Sequence, residues 1–315
     1  MQISRRQFLE ATSGAAAALA GSHPAGAAQV ADDPLGVRAD FPVTREGIYL
    51  DSAYITPVPR QVVEAGRQFV EAKSMRPISL GAMLEEREKV RVQYARLIGA
   101  DPDEIGFLYA TTEGENVVAS ALGLQRGDNV VIDDLHYTSS FVLYEHLART
   151  SGVEVRTAKR LPDGSAPPSI FEPLVDGRTR LVSVAWVSHQ NGFRHDIAAL
   201  AELAHAHEAY LYADAVQAVG QIAIDVGTVG IDFFTAGTYK WLLGAFGVAP
   251  FFVRRARLSR IQPDRHGFLR SRAMARCRRA RGSSSTRRSP SAACISWVPA
   301  WPTSSGSGCR GSRPT

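Results

Sequence analysis

The 315-residue chain has only three cysteines, Cys277, Cys294 and Cys309. Their spacing matches no metal site, and an odd count does not make a disulfide framework. Cysteine therefore says nothing about the redox compartment, and no metal is expected. Long apolar runs are also missing. The Ala-rich stretch from Ala11 to Ala20 is too short and too poor in bulky side chains to span a bilayer stably. Neither G-x-x-x-x-G-K-[ST] nor G-x-G-x-x-G after a strand occurs, so the common nucleotide fingerprints are absent. Acidic residues vanish from Ser271 to Thr315, a stretch that holds nine arginines. Without it the chain carries 27 basic and 31 acidic residues, a net of −4, so the overall +5 does not describe the rest of the molecule. A nucleic-acid partner would rest on that tail alone, and none is expected.

The two ends read as separate from the body. Ser4-Arg5-Arg6-Gln7-Phe8-Leu9, the Ala-rich run and the small-residue site Ala25-Gly26-Ala27 resemble a twin-arginine signal, which implies export through the twin-arginine machinery to the periplasm. Residues 1–30 are therefore set apart from the fold. After about Leu269 the composition changes abruptly to arginine and serine, with no regular apolar period. Residues 270–315 read as a non-native, frameshifted or disordered ending, and residues 31–269 as the folded domain.

Within that domain, strands and helices alternate. Gly47–Asp51 reads as a short strand, followed by a small-residue loop and a helix opening near Arg60. Gly81–Ile98 reads as an amphipathic helix with Met83, Val90, Tyr94 and Leu97 near its inner face and Gly99 as its C-cap. Strands are expected at 104–109, 129–133, 154–157, 180–187 and 210–214 and around Phe233. Helices are expected at 117–124, 137–149 and 197–207, and 170–174 as part of another. Such interleaving predicts an α/β fold with a mainly parallel sheet and ligands at the C-terminal strand ends.

Three features fall at those ends. Ala110-Thr111-Thr112-Glu113-Gly114 delivers small and hydroxylated residues to a helix start, where free backbone N–H groups and the helix dipole attract an anion. The bland alternative is that Thr111 or Thr112 caps the helix. Asp214 ends an apolar strand, where a carboxylate needs either a cationic partner or an N-cap role, and Gln217 lies within reach of the same face. Lys240 follows the strand around Phe233; burial there lowers an ammonium's pKa and frees a neutral amine to attack a carbonyl. A lysine snorkelling to solvent is the plain alternative. Together, a lysine, an acid and an anion cradle are what pyridoxal 5'-phosphate requires.

Six segments in order, YLDSAYITPVPRQVVEA, LYATTEGENVVA, DDLHYTSS, WVSHQNG, YADAVQAVGQIAIDV and FFTAGTYKWLLGAFGVAPFFV, resemble class V aminotransferase-fold enzymes, the group of cysteine desulfurases, selenocysteine lyases and isopenicillin N epimerases. The resemblance covers about Phe41 to Leu269. It implies the type I PLP-transferase fold, helices on both faces of the sheet, an amino-acid substrate and a homodimer. It also implies Lys240 as the Schiff-base lysine, Asp214 on the ring nitrogen and Gln217 on the ring phenolate. Thr111, Thr112 and Thr238 would hold the phosphate. Tyr137 would stack on the ring, with His136 as the alternative, and His189 takes a position where many members carry asparagine. The family's smaller C-terminal domain, with its carboxylate-binding arginine, is not recognisable after Leu269. The expected activity is transamination, epimerisation or desulfuration, set against an inactive remnant of the fold and, last, a basic-tailed binding protein.

Overall fold

A computed structural model describes residues 33–258 and 261–262. The proposed targeting segment and the chain after Leu269 lie outside the described residues. Seven strands form one sheet: β1 (Ile105–Leu108), β2 (Asn129–Asp133), β3 (Glu154–Ala158), β4 (Thr179–Ala185), β5 (Tyr210–Asp214), β6 (Phe233–Thr235) and β7 (Ala249–Val253). Their order is β1-β7-β6-β5-β4-β2-β3. The pairs among β6, β5, β4, β2 and β3 are parallel, whereas β7 runs antiparallel to both β1 and β6. It follows that β1 is parallel to β6, so the C-terminal ends of six strands share one edge.

The helices are α1 (Arg60–Met75), α2 (Leu80–Ile98), α3 (Thr111–Leu122), α4 (Thr138–Ser151), α5 (Ile197–Ala206) and the single turn α6 (Val226–Val229). They pack on both faces because successive strand residues point to opposite sides. Val131, Val182, Val184, Leu211 and Phe234 share one core with Tyr94, Ala95 and Ile98 of α2 and Ile197, Leu200 and Ala201 of α5. Val130, Ile132, Leu181, Tyr212 and Phe233 face the other core, with Val117 and Val118 of α3 and Tyr144 of α4. Every residue of β2, β5, β6 and β7 is buried. That is why those strands read as continuous apolar runs instead of alternating ones.

Local chemistry fixes the element ends. Ser79 caps α2 by accepting from Ala82 N at 3.1 Å, and Gly99 closes it in the left-handed region at φ +68°. Asp196 caps α5 through Ala199 N at 3.1 Å. Four expectations need correction. Gly47–Asp51 forms no strand. The inner face of α2 is Arg91, Tyr94, Ala95 and Ile98, while Met83, Val90 and Leu97 are exposed; of the residues chosen from the sequence, Tyr94 alone lies on the stripe that meets the sheet. Residues 168–174 form two separate 3-10 turns, each with a proline near its start. The helix expected at 117–124 starts at Thr111, so the residues of the expected cradle loop are themselves its first turn.

Candidate functional site

A cavity partly open to solvent lies at the shared strand edge. Its walls are Ala110, Thr111, Thr112, Tyr137, Ala185, Val187, His189, Asp214, Val216, Gln217, Tyr239 and Lys240. Residues far apart in the chain converge here because β1, β4 and β5 each deliver their last residues to the same edge.

The start of α3 forms one wall. Its N-cap is Ala110, and no side chain caps it. The bland capping role for Thr111 and Thr112 is therefore not the one taken. Thr111 Oγ1 instead accepts from Gly237 N at 3.0 Å, tying the helix start to the lysine loop. Thr112 Oγ1 donates to Ser139 Oγ at 3.1 Å. An α-helix that begins without a capping side chain leaves backbone donors to be satisfied by something else.

Asp214 forms the floor. It is 8% exposed, and Oδ1 accepts from Val216 N at 3.0 Å, so part of its turn-capping role is real. Burial pushes its pKa up to about 6, with the Val216 N–H and nearby cationic groups opposing. A desolvated carboxylate of this kind suits a cationic N–H partner. Gln217 is held from both ends: its Nε2 donates to Ala53 O and its Oε1 accepts from Trp241 Nε1, each at 2.8 Å. A carboxamide nitrogen has two hydrogens, so one remains for a ligand oxygen.

Lys240 is 7% exposed; burial lowers its pKa, and Asp214 partly counteracts this. It does not snorkel. Its loop is closed by Thr238, whose hydroxyl donates to Ala245 O at 2.7 Å and also lies 3.1 Å from Val248 O. Thr238 is not among the residues that line the cavity. Gly237 has to be glycine at this approach: a Cβ there would fall 2.7 Å from the Tyr239 ring and 3.2 Å from Thr111 Oγ1.

Tyr137 and His189 sit across the mouth, ring centroids 5.1 Å apart and edge to face. Burial lowers the His189 pKa, and the charge of Lys240 adds to this. His136, the alternative stacking residue, does not line the cavity. It is fully buried, with Nε2 3.1 Å from Ser183 Oγ. Tyr239 stacks on Phe246 at 4.4 Å and also lines the cavity. The sequence reading missed Ala185, Val187 and Val216, small or apolar wall residues with no chemical signature. It also missed Glu115, placed in a loop before a helix thought to start at Val117. An acid four residues after Thr111, followed by Val117 and Val118, would have pointed inward had the helix been started correctly.

Comparison with known proteins agrees with this geometry. The profile of the family Aminotransferase class-V matches residues 48–295, running past Leu269. A probable cysteine desulfurase of Methanothermobacter thermautotrophicus is 35% identical over 220 residues, covering 67% of this chain and 54% of that protein. Two solved cysteine desulfurases superpose well. That of Thermococcus onnurineus has a TM-score of 0.68 at 27% identity, covering 77% of this chain and 61% of its own. That of Escherichia coli has a TM-score of 0.66 at 26% identity, covering 73% and 60%. The chain thus spans a little over half the length of the curated relative it matches.

Proposed function

Since the chain belongs to the class-V aminotransferase family, we propose that it binds pyridoxal 5'-phosphate at this cavity and acts on an amino acid. One observation carries the reading: a buried lysine whose amine is held towards its neutral form shares a cavity with a desolvated carboxylate and the uncapped start of α3. When bound, the cofactor supplies an electron-withdrawing ring next to the substrate's α-carbon. The Lys240 amine would tether the cofactor and move the substrate's α-proton. Asp214 holds a proton at the ring nitrogen. Gln217, oriented by Trp241 and Ala53, donates to the ring oxygen. The N–H groups opening α3, with Thr111 and Thr112, face the phosphate, and Tyr137 covers the ring with His189 beside it. Cysteine is the first substrate to test, because the curated relatives are cysteine desulfurases.

Pyridoxal 5'-phosphate added to purified protein should give a visible absorbance band that borohydride removes and that Lys240→Ala lacks. A well-folded protein with no band would overturn the reading. A band without turnover of any amino acid would favour cofactor binding alone.

The reading extends to location. A protein that enters the twin-arginine route travels folded, so cofactor loading precedes export, and residues 31–269 would cross as the loaded domain. Changing Arg5 and Arg6 to lysine should hold the protein in the cytoplasm on cell fractionation. Unchanged partition between the compartments would remove the export proposal.

A further inference from the structure

Behind the cavity floor lies a second polar layer that the proposed chemistry does not use. Ser183 pairs with Tyr212 across β4 and β5, and two residues on, Ala185 pairs with Asp214. The two pairs point to the same face, and at about 3.3 Å per residue they are roughly 7 Å apart. From α3, Glu115 enters the deeper layer and is 2% exposed. Its Oε2 accepts from Ser140 Oγ at 2.6 Å, and its Oε1 accepts from Ser183 Oγ at 2.7 Å. His136 Nε2 is 3.4 Å from Oε1 and 3.1 Å from Ser183 Oγ. His136 Nδ1 accepts from Tyr137 N at 2.8 Å, which assigns the imidazole proton to Nε2, on the Glu115 side. Donors therefore come from α4, β4 and the β2–α4 loop, and all of them turn inward on one carboxyl group.

A carboxylate buried this deeply is costly, and a carboxamide or an apolar side chain could fill the space with less penalty. What an anion offers here is its field at Asp214. We propose that Glu115 is a positioning residue whose buried negative charge, fixed by Ser140, Ser183 and His136, keeps the Asp214 carboxylate basic. An Asp214 of higher proton affinity binds a cationic N–H more strongly, so the inference deepens the cofactor reading and rests on it for its purpose. The other titratable groups around Asp214 are Lys240 and Tyr239 from the β6–β7 loop, His136 from the β2–α4 loop and Tyr212 of β5. Glu115 raises the Asp214 pKa, whereas the Lys240 ammonium lowers it.

The test needs no cofactor. The Asp214 carboxyl is followed by carbon-13 NMR in cofactor-free protein, its resonance identified by its loss in Asp214→Asn. Glu115→Gln should lower the Asp214 midpoint by about one pH unit, tenfold in proton affinity. Glu115→Asp, which keeps the charge, should recover most of it. If Gln at 115 is not tolerated, Glu115→Met removes the charge with an apolar side chain of similar length and carries the same expectation. An unchanged midpoint in a folded charge-free variant overturns the proposal, as does failure of both charge-free variants to fold, which would make Glu115 purely structural. Because the titration precedes loading, it stands apart from the cofactor reading, whose own failure would appear as a missing visible band in the parent.

Discussion

Gly114→Val should lose about 3 kcal/mol or more of stability and melt roughly 10 °C lower, a cost at the upper end for overpacking. Gly114 lies in the first turns of α3, directly against Thr235 at the end of β6. A Cβ at 114 would fall 1.9 Å from Thr235 Oγ1, 2.9 Å from its Cβ and 3.1 Å from its Cγ2. Neither side yields easily. Thr235 is fully buried, and its strand is paired with β5 on one side and β7 on the other. The helix must move, and Thr111, Thr112 and Glu115 move with it. Gly114→Ala should be milder, and adding Thr235→Ala should recover only part of its loss, because the Cβ contact at 2.9 Å remains. Denaturant unfolding of the set measures this coupling. A Gly114→Val protein within about 1 kcal/mol of its parent would show that α3 does not approach the sheet this closely.

Asp214→Asn should make the cofactor-free protein more stable at neutral pH while removing most of its proposed activity. The sign follows from linkage. The ordinary pKa is 3.8 and burial raises it to about 6, so the folded state binds the proton more tightly than the unfolded one. Stability contributed by this group is fully present below about pH 4 and is lost as pH rises through about 6. Above that, the ionised carboxylate costs at most about 3 kcal/mol, which the neutral carboxamide avoids. The variant and its parent should therefore differ most above pH 7 and converge below pH 4 in chemical unfolding. Turnover of the loaded enzyme should fall about 10²–10³-fold, the usual effect of removing one preorganised electrostatic partner. Equal stability at pH 8 would show that Asp214 is less desolvated than its position implies. A residue that is destabilising when the site is empty and needed when it is filled is a familiar compromise of active sites.

The fold was legible because its strands carry dense apolar runs bounded by turn residues: 129–133 and 210–214 have the same limits in both readings. Lys240, Asp214, Gln217, Thr111, Thr112, Tyr137 and His189 converge on one cavity as expected from their places after strands. What failed did so for identifiable reasons. Gly47–Asp51 has strand-forming residues but pairs with none of the described strands. His136 and Tyr137 are adjacent, and only the course of the chain into α4 decides which faces the cavity. Glu115 was hidden because glycine and two threonines suggested a loop, whereas packing against β6 holds those residues helical.

The antiparallel placement of β7 has a consequence for the order of assembly. Ile105 pairs with Phe252, about 150 residues later, and the same late strand closes the loop that carries Lys240. During synthesis, α3 and its uncapped start emerge long before anything can hold β1 beside β6. The sheet edge beneath the helix and the lysine beside it are then completed in a single late step. A ribosome-bound chain ending before Ala249 would hold every residue that lines the cavity but lack the strand that sets β1 beside β6.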